Sequence, residues 1–218
     1  MKFPDQYWDQ KKRAELAKIT FLAHPDWEKR CDPGPYDDAT TGNELKELMR
    51  KQGDPERKVR AAQIVNEATE ITEDFAHLLL YREDSHVNTR RVFWQAITVG
   101  RTVVMHFKNK YSRPRPAQLE PQLRPLVTAP GHPAYPSGHS TQMHLVALSL
   151  SEITAKSTVP TMRDQLLEIA GRVAENREWG GVHYASDSAA GIRLAQNMYP
   201  LFRESSGADF DAAIQEWT

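Results

Sequence analysis

Between Asp54 and Leu79 the apolar residues Val59, Ile64, Ile71, Phe75, Leu78 and Leu79 recur at roughly helical spacing. The run opens with Asp54, a good N-cap, and Pro55, suited to the first helical position. A helical segment is therefore predicted across "GDPERKVRAAQIVNEATEITEDFAHLLLYRE". The next begins near Ser85, runs through "RRVFWQAITVGRTVVMHFKNKY" and stops at a proline-rich stretch. That stretch, "SRPRPAQLEPQLRPLVTAPGHPAYP", cannot be regular helix. Another helix is predicted from near Ser137 to about Ala155, with Leu145 to Leu150 as core. "PTMRDQLLEIAGRVAENREW" is amphipathic, with Pro160 near its first turn. "SDSAAGIRLAQNMYPLF" follows with Ser186 as candidate N-cap, and "ADFDAAIQEW" closes the chain.

Residues 1–54 are less regular. "AHPDWEKRCDPGPYDDATTG" reads as a long surface loop and "NELKELMRKQ" as a short helix. No segment alternates apolar and polar residues, and no Asn-Gly hairpin signal occurs. The expectation is an all-α helical bundle, one compact domain overall. Residues 1–54 are expected to form an N-terminal loop with short helices packed on the main helical domain, 55–218.

Composition narrows the function. The 218 residues are 39% hydrophobic and 26% charged, as in ordinary soluble globular proteins. With 28 basic and 29 acidic residues the net charge is −1, so no global field favours nucleic acid or an anionic membrane surface. Cys31 stands alone, which excludes an intrachain disulfide and leaves an inert thiol as the expectation. The N-terminus lacks the apolar segment of a secretion signal. The most apolar stretch, "VFWQAITVGRTVVMHF", is interrupted by Arg101 and falls short of a membrane span. A cytoplasmic location is expected, or a periplasmic one if a leader has been trimmed.

The chemistry concentrates around "PAYPSGHSTQMH", residues 133–144. A serine nucleophile at Ser137 would want a Gly-x-Ser-x-Gly elbow after a strand, which is missing. His139 and His144 lie five residues apart, on different helix faces, so they do not share a metal. The third reading is an anion cradle. Helix-start N–H groups favour an anion, Gly138 lets backbone come close, and Ser137 adds a hydroxyl donor. Such a cradle calls for cations elsewhere. Lys108 and Arg115 lie in "KNKYSRPRP", and Arg177 lies in "NREWGGVHYASD" ahead of His183 and Asp187. The last two suggest a histidine oriented by a carboxylate. His77, His86, His106 and His144 read as structural or surface groups.

Lys-x6-Arg-Pro, Pro-Ser-Gly-His and Arg-x5-His-x3-Asp, in this order, resemble the three signature motifs of the type-2 phosphatidic acid phosphatase and vanadium haloperoxidase superfamily. The resemblance spans roughly residues 95–200, with Asn176 departing where serine usually precedes the arginine. It implies that His183 is the nucleophile and forms a phosphohistidine, with Asp187 fixing its tautomer. Lys108, Arg115, Arg177, Ser137 and Gly138 would bind phosphate, and His139 would move the proton. The activity implied is a metal-independent, acid phosphatase-like phosphomonoesterase acting on a soluble phosphate ester, with no cofactor. The alternative is a vanadate-dependent haloperoxidase oxidising halide, bromide for preference, with hydrogen peroxide. There His183 would hold vanadate, and His132, in "HPAYPSGHSTQ", would lie on the halide side. A second alternative is an inactive anion-binding relative. The expected partners are a small phosphate ester or a phosphate or vanadate anion, without nucleic acid or membrane span. A homodimer is a further expectation.

Overall fold

The computed structural model describes residues 10–81, 85–156 and 162–218. Among them the secondary structure is helical, without strands. Helix α8 (Gly138–Ile153) lies at the centre, between α6 (Val87–Tyr111), α9 (Met162–Trp179) and α10 (Ala185–Ser205). Its position follows from its sequence. Met143, Leu145, Val146, Ala147, Leu150 and Ile153 are buried all round it, and such a helix belongs inside a bundle. The hydroxyls of Ser149 and Thr154 donate to Leu145 O and Leu150 O, at 2.7 and 2.8 Å. Bonding within the helix lets them be buried without a lost partner.

The outer layer is N-terminal and C-terminal. Helix α1 (Gln10–Leu22) and α11 (Gly207–Gln215) pack on α6, and α2 (Trp27–Cys31) packs on α10. Helices α3 (Thr41–Gly53) and α4 (Pro55–Asn66) both reach α9. Cys31 is fully buried, and burial pushes its thiol up to about 12, which makes it inert at neutral pH. Trp179 is buried and Trp94 partly buried on the core. No helix among the described residues is long and apolar enough to cross a membrane.

Several boundaries differ from the sequence pattern. The segment after Asp54 is two helices, because α4 stops at Asn66 and α5 covers Glu73–Leu79. Asp54 caps α4 as expected, accepting from Glu56 N at 2.9 Å. At the break, side chains from α8 and α9 take the backbone carbonyls. Ile64 O accepts from Arg177 at 2.6 Å and Glu67 O from His139 at 3.1 Å, while Ala68 N turns to Val65 O. The loop over residues 23–42 holds α2 and a 3-10 turn at Asp38–Thr40, and the proline-rich loop holds one turn, α7 (Pro116–Leu119). Ser186 does not cap α10. The helix starts at Ala185, and Asp187 takes the Tyr184 N–H at 3.1 Å, while the Ser186 hydroxyl turns to Glu44. Pro160 lies outside the described residues.

Helices α8 and α10 pack tightly at Gly191. Ser140 Oγ donates to Ser188 O at 2.8 Å, and Ser137 N donates to Asp187 O at 3.0 Å. A Cβ at Gly191 would lie 2.7 Å from Ser140 Cβ and 2.8 Å from Ser137 O. Gly191→Ala is therefore expected to destabilise the protein by about 3 kcal/mol, since packed helices yield poorly to an added methyl group. Urea unfolding tests this, and an unchanged midpoint would contradict the packing described.

Candidate active site

The third sequence motif is folded by two glycines. Helix α9 carries Arg177 in its last turn and ends at Trp179. Gly180 follows with no room for a side chain, because a Cβ would lie 3.0 Å from Asn176 O and 3.1 Å from Ile64 Cγ2. Gly181 takes a φ of 75°, the left-handed region that glycine adopts without strain. The chain reverses there, Val182 N donates to Arg177 O at 3.1 Å, and His183 follows just before α10.

Asp187, in the first turn of α10, orients His183. Its Oδ2 accepts from His183 Nδ1 at 3.0 Å and from Tyr184 N at 3.1 Å. Its Oδ1 accepts from Arg113 at 2.7 Å. On the other side of the ring, an Arg115 N–H points at His183 Nε2 from 3.0 Å. A guanidinium only donates, so Nε2 holds a lone pair and Nδ1 holds the proton. Burial, and then the positive charges of Arg115 and Lys108, hold the His183 pKa well below its ordinary value. His183 is thus neutral at pH 7, with an available lone pair aimed at a guanidinium.

The cations converge on this histidine from three elements. Arg115 enters from the proline-rich loop and donates to Val182 O at 2.7 Å and His132 O at 3.0 Å. Lys108, near the end of α6, donates to Pro133 O at 2.7 Å and Ala134 O at 2.8 Å. Arg177 is steadied by Ile64 O and by Glu67 Oε2 at 3.5 Å. Burial lowers all three, and Arg115 also repels a charge on Lys108. Lys108 falls to about 6 and Arg115 to about 10. A cluster this starved of negative charge favours an incoming anion.

Ser137 and Gly138 form the start of α8. Ser137 is the N-cap, its Oγ accepting from Ser140 N at 3.4 Å, which leaves its own hydrogen to donate. Gly138 is the first helical residue, where the N–H groups have no partner within the helix. His139 donates through Nε2 to Glu67 O, so Nδ1 carries its lone pair. Burial, then Arg177, lowers its pKa to about 3. His132 stands at the rim, its Nδ1 3.1 Å from an Arg115 N–H. A cavity of about 710 Å³ opens beside Arg115 and His132, with Pro114, Ala117 and Pro130 among its walls.

Three contributors were not singled out from the sequence. Arg113 belongs to the same "RPRP" run but is sealed inside, 1% exposed, against Asp187 and Glu44. Glu44 and Glu67 come from the N-terminal helical region and have no local signature. Asn176 does more than end a helix: it donates to Glu67 Oε2 at 2.9 Å and so holds the carboxylate beside Arg177. His144 is buried with Nδ1 on Ser140 O at 2.7 Å, and His86 stacks on Trp217, both away from the cluster. His106 packs edge-on against Trp27. Among the described residues no group of three or more His, Cys, Asp or Glu forms a metal site.

The depressed pKa values make anion binding a proton-linked event. Burial lowers both Lys108 and His139, and a bound anion favours their charged forms, so binding takes up protons. Affinity for sulfate, whose own charge is constant from pH 8 to 5.5, is expected to rise as pH falls. The limit is about tenfold per pH unit for each coupled proton. Calorimetry in buffers of different ionisation enthalpy measures the uptake, and a flat profile without it would contradict these assignments.

Residues 92–199 match the family model described as the PAP2 superfamily. Among curated proteins none matches the chain. Among solved structures the chain is similar to the first transmembrane PAP2 type phosphatidylglycerolphosphate phosphatase from Bacillus subtilis. The two share 18% identity and a TM-score of 0.54, over 91% of this chain and 96% of that one. That likeness concerns the fold, and the matched residues include all three motifs around His183. The chain belongs to the PAP2 superfamily, with the all-α, phosphatase-type fold of that group.

Proposed function

We propose that the protein is a metal-independent phosphomonoesterase acting on a soluble phosphate ester through a phosphohistidine. The observation that carries this reading is the fixed tautomer of His183, with Nδ1–H on Asp187 and the Nε2 lone pair facing the cations. The ester's phosphoryl group would displace the Arg115 contact and sit among Lys108, Arg115, Arg177, Ser137 Oγ and the Gly138 N–H. Nε2 then attacks phosphorus, forming the P–N bond as the P–O bond to the alcohol breaks. Asp187 holds the ring as it becomes positive. The cations stabilise the equatorial oxygens, which is where phosphoryl transfer needs help.

His139 handles the proton. In the free site it is neutral, but a dianion beside Arg177 and Lys108 offsets the charges that depress it. Protonated at Nδ1, it gives that proton to the leaving oxygen. Neutral again, it accepts a proton from the water that attacks phosphorus, and the new P–O bond forms as the P–N bond breaks and its electron pair returns to His183 Nε2. The alcohol would lie toward the cavity that Arg115 and His132 line.

A second reading is supported by His132, held against Arg115 at the mouth of the cluster. The same donors fit vanadate: His183 Nε2 would hold the metal, and the cations with Ser137 and Gly138 its oxygens. Bound there, vanadate would supply the Lewis acid that activates hydrogen peroxide toward bromide. The rest of the site would serve as in hydrolysis.

Three assays separate the readings. His183→Ala is expected to reduce p-nitrophenyl phosphate turnover by at least about 10³-fold, as loss of a nucleophile does elsewhere. Unchanged turnover would sink the nucleophile assignment. Hydrolysis of a phosphatidate in mixed micelles, with no turnover of water-soluble esters, would overturn the substrate class. Bromination of a dye with vanadate and peroxide, exceeding phosphatase turnover, would favour the second reading.

A further inference from the structure

Arg113 and Arg177 are the largest fully buried side chains of the described residues, and the phosphatase mechanism uses only the second. The Arg113 guanidinium lies between two tyrosine rings, 3.8 Å from the centroid of Tyr184 and 4.6 Å from that of Tyr36. Its edges serve two carboxylates. One N–H group donates to Asp187 Oδ1 at 2.7 Å and to Ser186 Oγ at 2.7 Å. The other donates to Glu44 Oε2 at 2.8 Å and Thr41 Oγ1 at 3.0 Å. Glu44 completes the circuit, accepting from Ser186 N at 2.7 Å and from Ser186 Oγ at 2.9 Å. None of these contacts reaches the face of His183 that meets the cations.

We propose that Arg113, anchored by Glu44 of α3, is the positioning residue that keeps Asp187 ionised and aimed at His183 Nδ1. The physical need is plain. Asp187 is completely buried, and a buried carboxylate tends to take up a proton unless a fixed positive charge stands beside it. A protonated Asp187 would stop defining which histidine nitrogen carries the hydrogen. Arg113 supplies that charge, and its planar fork makes the contact directional. Left alone, the guanidinium would be free to follow Asp187. Glu44, Thr41 and the two rings fix it, and Glu44 also takes an N–H from the first turn of α10, the helix that carries Asp187. The N-terminal helix α3 thereby sets the tautomer of a histidine it never touches.

This inference rests on the phosphatase reading only for its kinetic readout. The test uses Arg113→Gln, Arg113→Lys and Glu44→Gln in the full chain, each with circular dichroism as a check of folding. Two quantities are read. One is the nitrogen-15 spectrum of His183, assigned against His183→Ala. The other is the split between kcat and inhibition by inorganic phosphate. In the wild type the spectrum is expected to show the proton on Nδ1. In Arg113→Gln that tautomer is expected to be lost and kcat to fall about 10- to 100-fold, with phosphate inhibition within about threefold. Arg113→Lys should restore part of both, and Glu44→Gln should show the same change in smaller measure. An unchanged tautomer and kcat in Arg113→Gln would overturn the proposal. So would a loss of phosphate affinity parallel to the loss of kcat, which would place Arg113 in the anion site. If Arg113→Gln does not fold, Arg113→Lys and Glu44→Gln decide by the same criteria. If the wild type hydrolyses no ester, the functional reading fails, and the histidine spectrum alone decides this one.

Discussion

Everything at this site depends on one buried carboxylate. Asp187 is fully buried, accepts from Tyr184 N, and lies between two side chains, the Arg113 guanidinium and the His183 ring. Removing one member of a buried pair leaves the other uncompensated, which typically costs about 3–5 kcal/mol. The interaction is therefore structural and chemical at once. It sits at the start of α10, it faces the start of α8 through Ser137 N on Asp187 O, and it reaches α3 through Glu44. Three helices that are distant in sequence meet on it.

Around that carboxylate the protein gathers more positive charge than it can comfortably bury. Lys108, Arg115 and Arg177 are all lowered by burial. The loop carbonyls of His132, Pro133, Ala134 and Val182 keep Lys108 and Arg115 satisfied, and Glu67 with Ile64 does so for Arg177. Backbone oxygens carry partial charge only, so they orient Lys108 and Arg115 without neutralising them, while Glu67 sets a carboxylate beside Arg177. An oxyanion can then outbid them. This is the preorganisation on which charge stabilisation in a dry site depends.

Much of the centre was legible in the sequence, and the reasons are local. The Pro136-Ser137 pair marks the start of α8, and the apolar positions from Leu145 to Leu150 mark it as core. The three motifs name His183, Asp187, His139, Lys108, Arg115 and Arg177 because their spacings are short and fixed. What escaped is long-range. Ser186 looks like a helix cap until Glu44, 142 positions earlier, claims its hydroxyl. The continuous helical pattern after Asp54 breaks at Asn66, where Arg177 and His139 take carbonyls from that turn. No window of sequence contains either fact. Arg113 was visible as a charge, but a charge in a proline-rich loop reads as exposed, and only the fold shows it sealed between Tyr36 and Tyr184.

The central claim is that the lone pair on His183 Nε2 attacks phosphorus. It is tested most directly by quenching turnover of a phosphate ester in alkali, which preserves phosphohistidine, and locating the phosphoryl group by mass spectrometry and phosphorus-31 NMR. The account predicts phosphate on His183, joined through Nε2, and none in His183→Ala. Turnover without any phosphorylated histidine, or phosphate found on Ser137, would contradict it.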